Sequence, residues 1–232
     1  MLMRLVLFLV YLVCSLAPSW ASERHYDIRL SLHPATRVLD ARVRVTLPTT
    51  TEGRFGLGPG FMLQALTIDG ETMDPAAESW PLPTGRPAEI AYRATLPALD
   101  AARMSRILIP FADPDGSFLP LVGWYLSVGD FTYDVTVDVP AEQRAVVSGR
   151  LLEETEANGR YIVRFAFDKR ARELSVFAGP YVVGETMQGG IRLRTYFPKD
   201  VDFSAITTDG KSRAISTPSR AESDPIPMGS ST

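Results

Sequence analysis

The sequence predicts an all-β fold, a large antiparallel β-sandwich. Three observations carry this expectation. From residue 25 onward apolar residues recur at every second position, the period of strands with one buried face. Turn residues break the alternation about every 8 to 14 residues, as in sandwiches. No segment shows a convincing apolar stripe of helical period.

The first segment is set apart from the fold. Met1 to Arg4 form a short basic start, Leu5 to Ala17 an apolar run, and Pro18-Ser19-Trp20-Ala21 ends with small residues at the −3 and −1 positions. Residues 1–21 therefore read as a secretory signal peptide, too short in its apolar run to span a bilayer. Export to the periplasm or the extracellular space is the expected localisation, with no membrane attachment after signal removal. The only cysteine, Cys14, lies inside the apolar run. Lipidation there is disfavoured by the bulky Val13, where bacterial lipoprotein signals carry a small residue.

The sandwich is expected over residues 22–203. Tyr26, Ile28, Leu30 and Leu32 alternate with polar residues; after His33-Pro34 the alternation resumes with Leu39, Ala41, Val43, Val45 and Leu47. These two runs predict an antiparallel pair whose register is fixed, because a one-residue slip would bury Arg42 and Arg44. Phe61 to Ile68 ends at Asp69-Gly70, a strong hairpin signal. Ile90 to Leu96 alternates before Pro97, and Ile107 to Phe111 before Asp113-Pro114-Asp115-Gly116. The cleanest strand runs from Phe131 to Val139 and stops at Pro140, which cannot donate to a ladder. Further strands are expected over Val146 to Leu152, Tyr161 to Phe167 behind Asn158-Gly159, Leu174 to Val183, and Ile191 to Phe197.

The last stretch changes character. Residues 204–232 hold eleven Ser or Thr, three Pro and two Gly in 29 positions, with no large aromatic and no alternation. Such a segment buries too little apolar surface to offset its ordering entropy, so a disordered tail is expected. The abrupt onset predicts a cut or shifted reading frame.

Composition excludes several classes. With 45% hydrophobic and 22% charged residues in 232, the chain is neither disordered overall nor collagenous. Removing Arg4 leaves 23 basic against 27 acidic side chains, a balance that carries no footprint for nucleic acid. Metal chemistry is equally poorly provided for. Beyond Cys14 there remain only His25 and His33, and no His-Glu-x-x-His occurs. Asp113-Pro114-Asp115-Gly116-Ser117 has the opening spacing of a calcium loop but lacks its third acid and closing glutamate, so a tight turn explains it better.

Catalytic pairs are also missing. There is no Gly-x-Ser-x-Gly elbow. Asp134 and Asp138 share one face of one strand roughly 13 Å apart, at 3.3 Å per residue, too far for a glycosidase pair. The Arg42/Arg44 and Arg192/Arg194 pairs read as outward residues, with a basic stripe for an acidic partner as the alternative. Trp124 and Tyr125, with Phe118 nearby, are the most suggestive aromatic group. On a strand they would face opposite ways, one into the core and the other toward a ligand or a neighbouring domain; packing of both in the core is the competing expectation.

The order of several segments resembles a known family. His25-Tyr26-Asp27-Ile28-Arg29-Leu30, Val38 to Leu47, Gly123-Trp124-Tyr125, Phe131 to Val137, Val139-Pro140, Ser148-Gly149, Phe177 to Val183 and Arg194-Thr195-Tyr196-Phe197 together resemble the amino-terminal domain of M1-family zinc aminopeptidases, over about residues 25–200. The resemblance implies a saddle-like β-sandwich that packs on a thermolysin-like catalytic domain and walls its substrate cleft. That catalytic domain carries a Gly-x-Met-Glu-Asn loop, a His-Glu-x-x-His pair and a distant glutamate for zinc; none is present in this sequence. The family also takes a Gln or Glu from this domain to hold the substrate's amine, and residues 105–125 contain neither. The expectation is therefore a noncatalytic scaffold with no catalytic or metal residue and no cofactor of its own, zinc belonging to full-length members. Its expected partner is an M1-like catalytic domain or an unknown protein, and the gene product is expected to be truncated or degenerate. The alternative is a freestanding binding or adhesion module using Trp124 and Tyr125.

Overall fold

The computed structural model describes residues 24–49, 51–99, 109–120 and 123–199. The expected signal peptide with Cys14, the expected tail over 204–232, and Ile107 lie outside the described residues.

The chain runs through β1 (His25–His33), β2 (Val38–Thr46), β3 (Arg54–Phe55), β4 (Phe61–Ile68), β5 (Glu71–Thr72), β6 (Trp80–Pro81), β7 (Pro87–Thr95) and β8 (Phe111–Asp113). It continues with β9 (Gly116–Leu119), β10 (Phe131–Pro140), β11 (Arg144–Val147), β12 (Arg150–Ala157), β13 (Arg160–Ala171), β14 (Val176–Gly179), β15 (Tyr181–Gln188) and β16 (Ile191–Pro198). Eight strands form one sheet in the order β12-β13-β10-β1-β2-β7-β4-β5, and four form a second, β11-β14-β9-β8. The hairpin β15-β16 and the short ladder β3-β6 stand as two-stranded pairs. The all-β expectation holds: among the described residues there is no helix.

Burial cost sets the register as the alternation required. Tyr26 faces Val45, Ile28 faces Val43 and Leu30 faces Ala41 across β1 and β2, all on the buried side. The hairpin signals also act as expected, with Asp69 at φ 54° and Gly70 at φ 81°, and Asn158 at φ 53° and Gly159 at φ 72°. A single apolar cluster joins the inner faces of both sheets, including Tyr92, Val135 and Phe165 from the large one and Leu119, Val147 and Val176 from the small one. That shared core makes the architecture a sandwich.

The structure departs from the sequence expectation at four places. Of the strand expected from Ile107 to Phe111, Ile109 and Pro110 lie outside any strand and only Phe111 joins β8. The two cleanest strands, β1 and β10, pair in parallel, Ile28 beside Val135, whereas the other strand pairs among the described residues are antiparallel. Alternation reports which face is buried and carries no strand direction. The expected strand from Val146 to Leu152 is two strands, β11 in the small sheet and β12 in the large one. Gly149 makes the crossing at φ 127°, where a Cβ would lie 2.5 Å from the Ala166 carbonyl oxygen. The expected strand from Leu174 to Val183 is likewise divided, between β14 and β15, at Pro180, which has no N–H to continue a ladder.

Candidate functional site

Trp124 and Tyr125 lie in a bend, residues 123–125, rather than on a strand. The opposite-face rule therefore does not apply, and both rings turn inward. Gly123 opens the bend at φ 90°. Trp124 is 0% exposed and its indole N–H donates to the Pro120 carbonyl. Tyr125 packs against Trp124 at 4.7 Å between ring centroids, Phe131 at 5.9 Å and Tyr26 at 6.4 Å. Its hydroxyl accepts from the Leu174 amide at 3.1 Å, and burial pushes the phenol's pKa up. These are the marks of an aromatic core in which the polar handles of Trp124 and Tyr125 both have partners. The structure thus places the pair where the core expectation put it.

The other sequence candidates are resolved by their neighbours. β1 holds His25 and His33 at its two ends, about 26 Å apart at 3.3 Å per residue. His25 Nδ1 contacts Thr132 Oγ1 at 2.9 Å, and His33 Nε2 lies 3.3 Å from Ser31 Oγ. Among the described residues no group of three His, Cys, Asp or Glu is placed to hold a metal ion. Asp113 accepts from the Asp115 amide at 3.3 Å, the local capping of a tight turn between β8 and β9. Asp134 and Asp138 are taken by arginines from β13: Arg164 donates to Asp134 at 3.0 Å and Arg160 to Asp138 at 2.7 Å.

Arg194 corrects the reading of Arg192/Arg194 as an outward pair. Its side chain is 14% exposed, donates to Glu154 at 3.1 Å, stands 3.4 Å from Glu185, and lies over the Tyr196 ring. Glu154 also accepts from the Tyr161 hydroxyl at 2.7 Å. Burial opposes the charge on Glu154, but the hydrogen bonds from Tyr161 and Arg194 outweigh it, so its carboxyl titrates below the usual carboxylate range.

Two outward surfaces are more apolar than the sequence suggested. Across the small sheet Phe111 pairs with Phe118, Phe118 with Phe177, and Phe177 with Val146, an in-register row on the face away from the core. Phe118 and Phe177 stack at 4.7 Å, and Phe177 remains 45% exposed. Of the buried positions alternating with this row, Ala112, Ser117, Ala178 and Ala145 on one side are small, and Leu119, Val176 and Val147 on the other are large. The second surface is one face of the β15-β16 hairpin, which Val182, Leu193 and Ile191 share and on which Ile191 is 65% exposed.

No family model matches the sequence, and no curated protein matches it. Solved structures do. An M1 zinc metallopeptidase variant from Deinococcus radiodurans bound to a Tyr-Ser-Ala substrate is similar at 20% identity with a TM-score of 0.57, over 78% of this chain and 49% of that one. Legionella pneumophila aminopeptidase A in complex with aspartic acid is similar at 15% identity and a TM-score of 0.52, over 76% of this chain and 24% of the other. An aminopeptidase N family protein from Idiomarina loihiensis is similar at 14% identity and a TM-score of 0.51, over 79% of this chain and 34% of the other. The chain shares the all-β fold of part of these M1 zinc aminopeptidases. It spans half or less of the length of the structures it matches.

Proposed function

We propose that the protein is an exported, noncatalytic β-sandwich equivalent to the amino-terminal domain of an M1-like metallopeptidase, acting as a scaffold and cleft wall for a catalytic domain. The observation that carries this reading is the pair of outward apolar surfaces on a fold shared with part of those enzymes, the phenylalanine row and the hairpin face. Large apolar patches on the outside of a sandwich are what a neighbouring domain covers, typically over 600 to 1,500 Å². The shortage of ligands supports the same reading. Zinc hydrolysis needs three protein ligands, an open position and a water-activating base, and the sequence holds two histidines at opposite ends of one strand.

The freestanding binding module has less support, because the rings it would use, Trp124 and Tyr125, are both buried. The test is to translate the genomic sequence downstream of the gene in all frames. A frame encoding His-Glu-x-x-His is expected, and the absence of any protein-like frame there would count against the reading.

A further inference from the structure

The solvent side of the eight-stranded sheet is a lattice of arginines and carboxylates. The register gives most of the arginines an acid. Arg44 stands opposite Glu89 and reaches it at 2.6 Å, and Arg93 stands opposite Asp40 and holds it with two hydrogen bonds at 2.7 and 3.0 Å. Arg160 and Arg164 take Asp138 and Asp134 diagonally, each two residues from the position opposite its acid. The centre of the lattice breaks this rule. Arg29 of β1 and Arg42 of β2 are direct cross-strand partners, and the other neighbour of Arg42, on β7, is Ala91. Like charges directly opposite one another destabilise a sheet. Arg42 has no hydrogen bond or ion pair among the described residues, and the nearest carboxylate to Arg29, that of Asp27, is 3.9 Å away.

The shape around the pair is a trough. One depression lies toward Asp27, Arg44 and Glu89, a second toward Ser31, Asp40 and Arg93, and both are lined by Arg29, Arg42 and Ala91. The arginine pair therefore borders both depressions, which lie on either side of it along the strand direction. Small side chains, Ala91 and Ala65, keep the floor low.

We infer that this trough binds an extended acidic peptide, with a carboxylate held between Arg29 and Arg42. Guanidinium forks match carboxylate oxygens bidentately, and a bound carboxylate removes the repulsion that the empty pair carries. Peptide is favoured over a small inorganic anion because the depressions give room for residues on both sides of the charge. At each end the arginines are already neutralised by Glu89 and Asp40, so the charge preference is confined to the middle. The site lies on a different face from the apolar surfaces and does not depend on the scaffold reading.

The test is fluorescence anisotropy of the full-length protein with a labelled peptide containing three consecutive glutamates, at low and high salt. The same peptide with glutamines serves as control, and inorganic phosphate and acetate as competitors. The glutamate peptide should bind more weakly at high salt, and Arg29→Gln/Arg42→Gln should weaken it by about tenfold or more. Arg170→Gln, an exposed arginine elsewhere, should leave it unchanged, and Arg42→Lys should fall between, keeping the charge without the fork. Should the double variant fail to melt cooperatively, the Arg42→Gln and Arg42→Lys single variants carry the comparison. Equal binding of the glutamine peptide, native-like binding by the arginine variants, or displacement by phosphate far below the acetate needed would overturn the inference.

Discussion

The Arg194 guanidinium donates to Glu154 at 3.1 Å, and this ion pair ties the β15-β16 hairpin to the outer strand of the large sheet. The hairpin's ladder is otherwise internal. Replacing Arg194 with methionine should weaken the hairpin's attachment by about 1–2 kcal/mol of local stability, the value of a hydrogen bond to a charged group reduced by the partial exposure of Glu154, with little change in global stability. Hydrogen exchange should show hairpin amides losing protection while those of β1 and β2 keep theirs. Simultaneous loss in all four strands would show the hairpin to be part of the global folding unit.

The same contact makes a pH prediction. The Glu154 carboxyl is lowered from 4.5 in the fold, so its contribution is present above the unfolded value and is lost as pH falls through the folded one. Hairpin protection should therefore be intact above about pH 4.5 and decline as the pH falls below it. Glu154→Gln should show weaker protection with that pH step removed; an unchanged step in the variant would assign the titration elsewhere.

Trp124→Ala should cost about 3–5 kcal/mol in urea unfolding, because it empties a fully buried site and orphans the Pro120 carbonyl. A loss under about 1 kcal/mol would mean that the ring is not packed as described.

Gly149→Ala tests the strand crossing between the sheets. With φ at 127° and the Ala166 carbonyl oxygen 2.5 Å from the new Cβ, the variant should lose about 2 kcal/mol or more. A neutral result would show that β11 and β12 need no such turn.

The paired variant Ile191→Thr/Leu193→Thr should change stability by less than about 0.5 kcal/mol while reducing dye binding and self-association, since both side chains face outward. A large destabilisation would place them in a core, and unchanged association would remove the hairpin from the apolar surface.

Much of the fold was legible because burial is written in period two. Tyr26, Ile28 and Leu30 opposite Val45, Val43 and Ala41 follow from alternation alone, and Asp69-Gly70 and Asn158-Gly159 from their tolerance of positive φ. What stayed hidden depends on pairing between distant segments. Nothing local tells β1 to run parallel to β10, or Arg29 to sit opposite Arg42 beside Ala91. The strand from Val146 to Leu152 read as continuous because its apolar pattern does not register the sheet change at Gly149. The strand rule fails for Trp124 and Tyr125 because their segment bends, and Arg194 faces inward because Glu154 and Tyr196 enclose it.

The role proposed for this chain is to support chemistry without performing it. The most direct measurement combines zinc titration of the purified protein with aminoacyl-anilide hydrolysis, in the presence and absence of added zinc. The expected result is no stoichiometric zinc and no turnover. Tight binding of one zinc per chain together with zinc-dependent amide cleavage would contradict it.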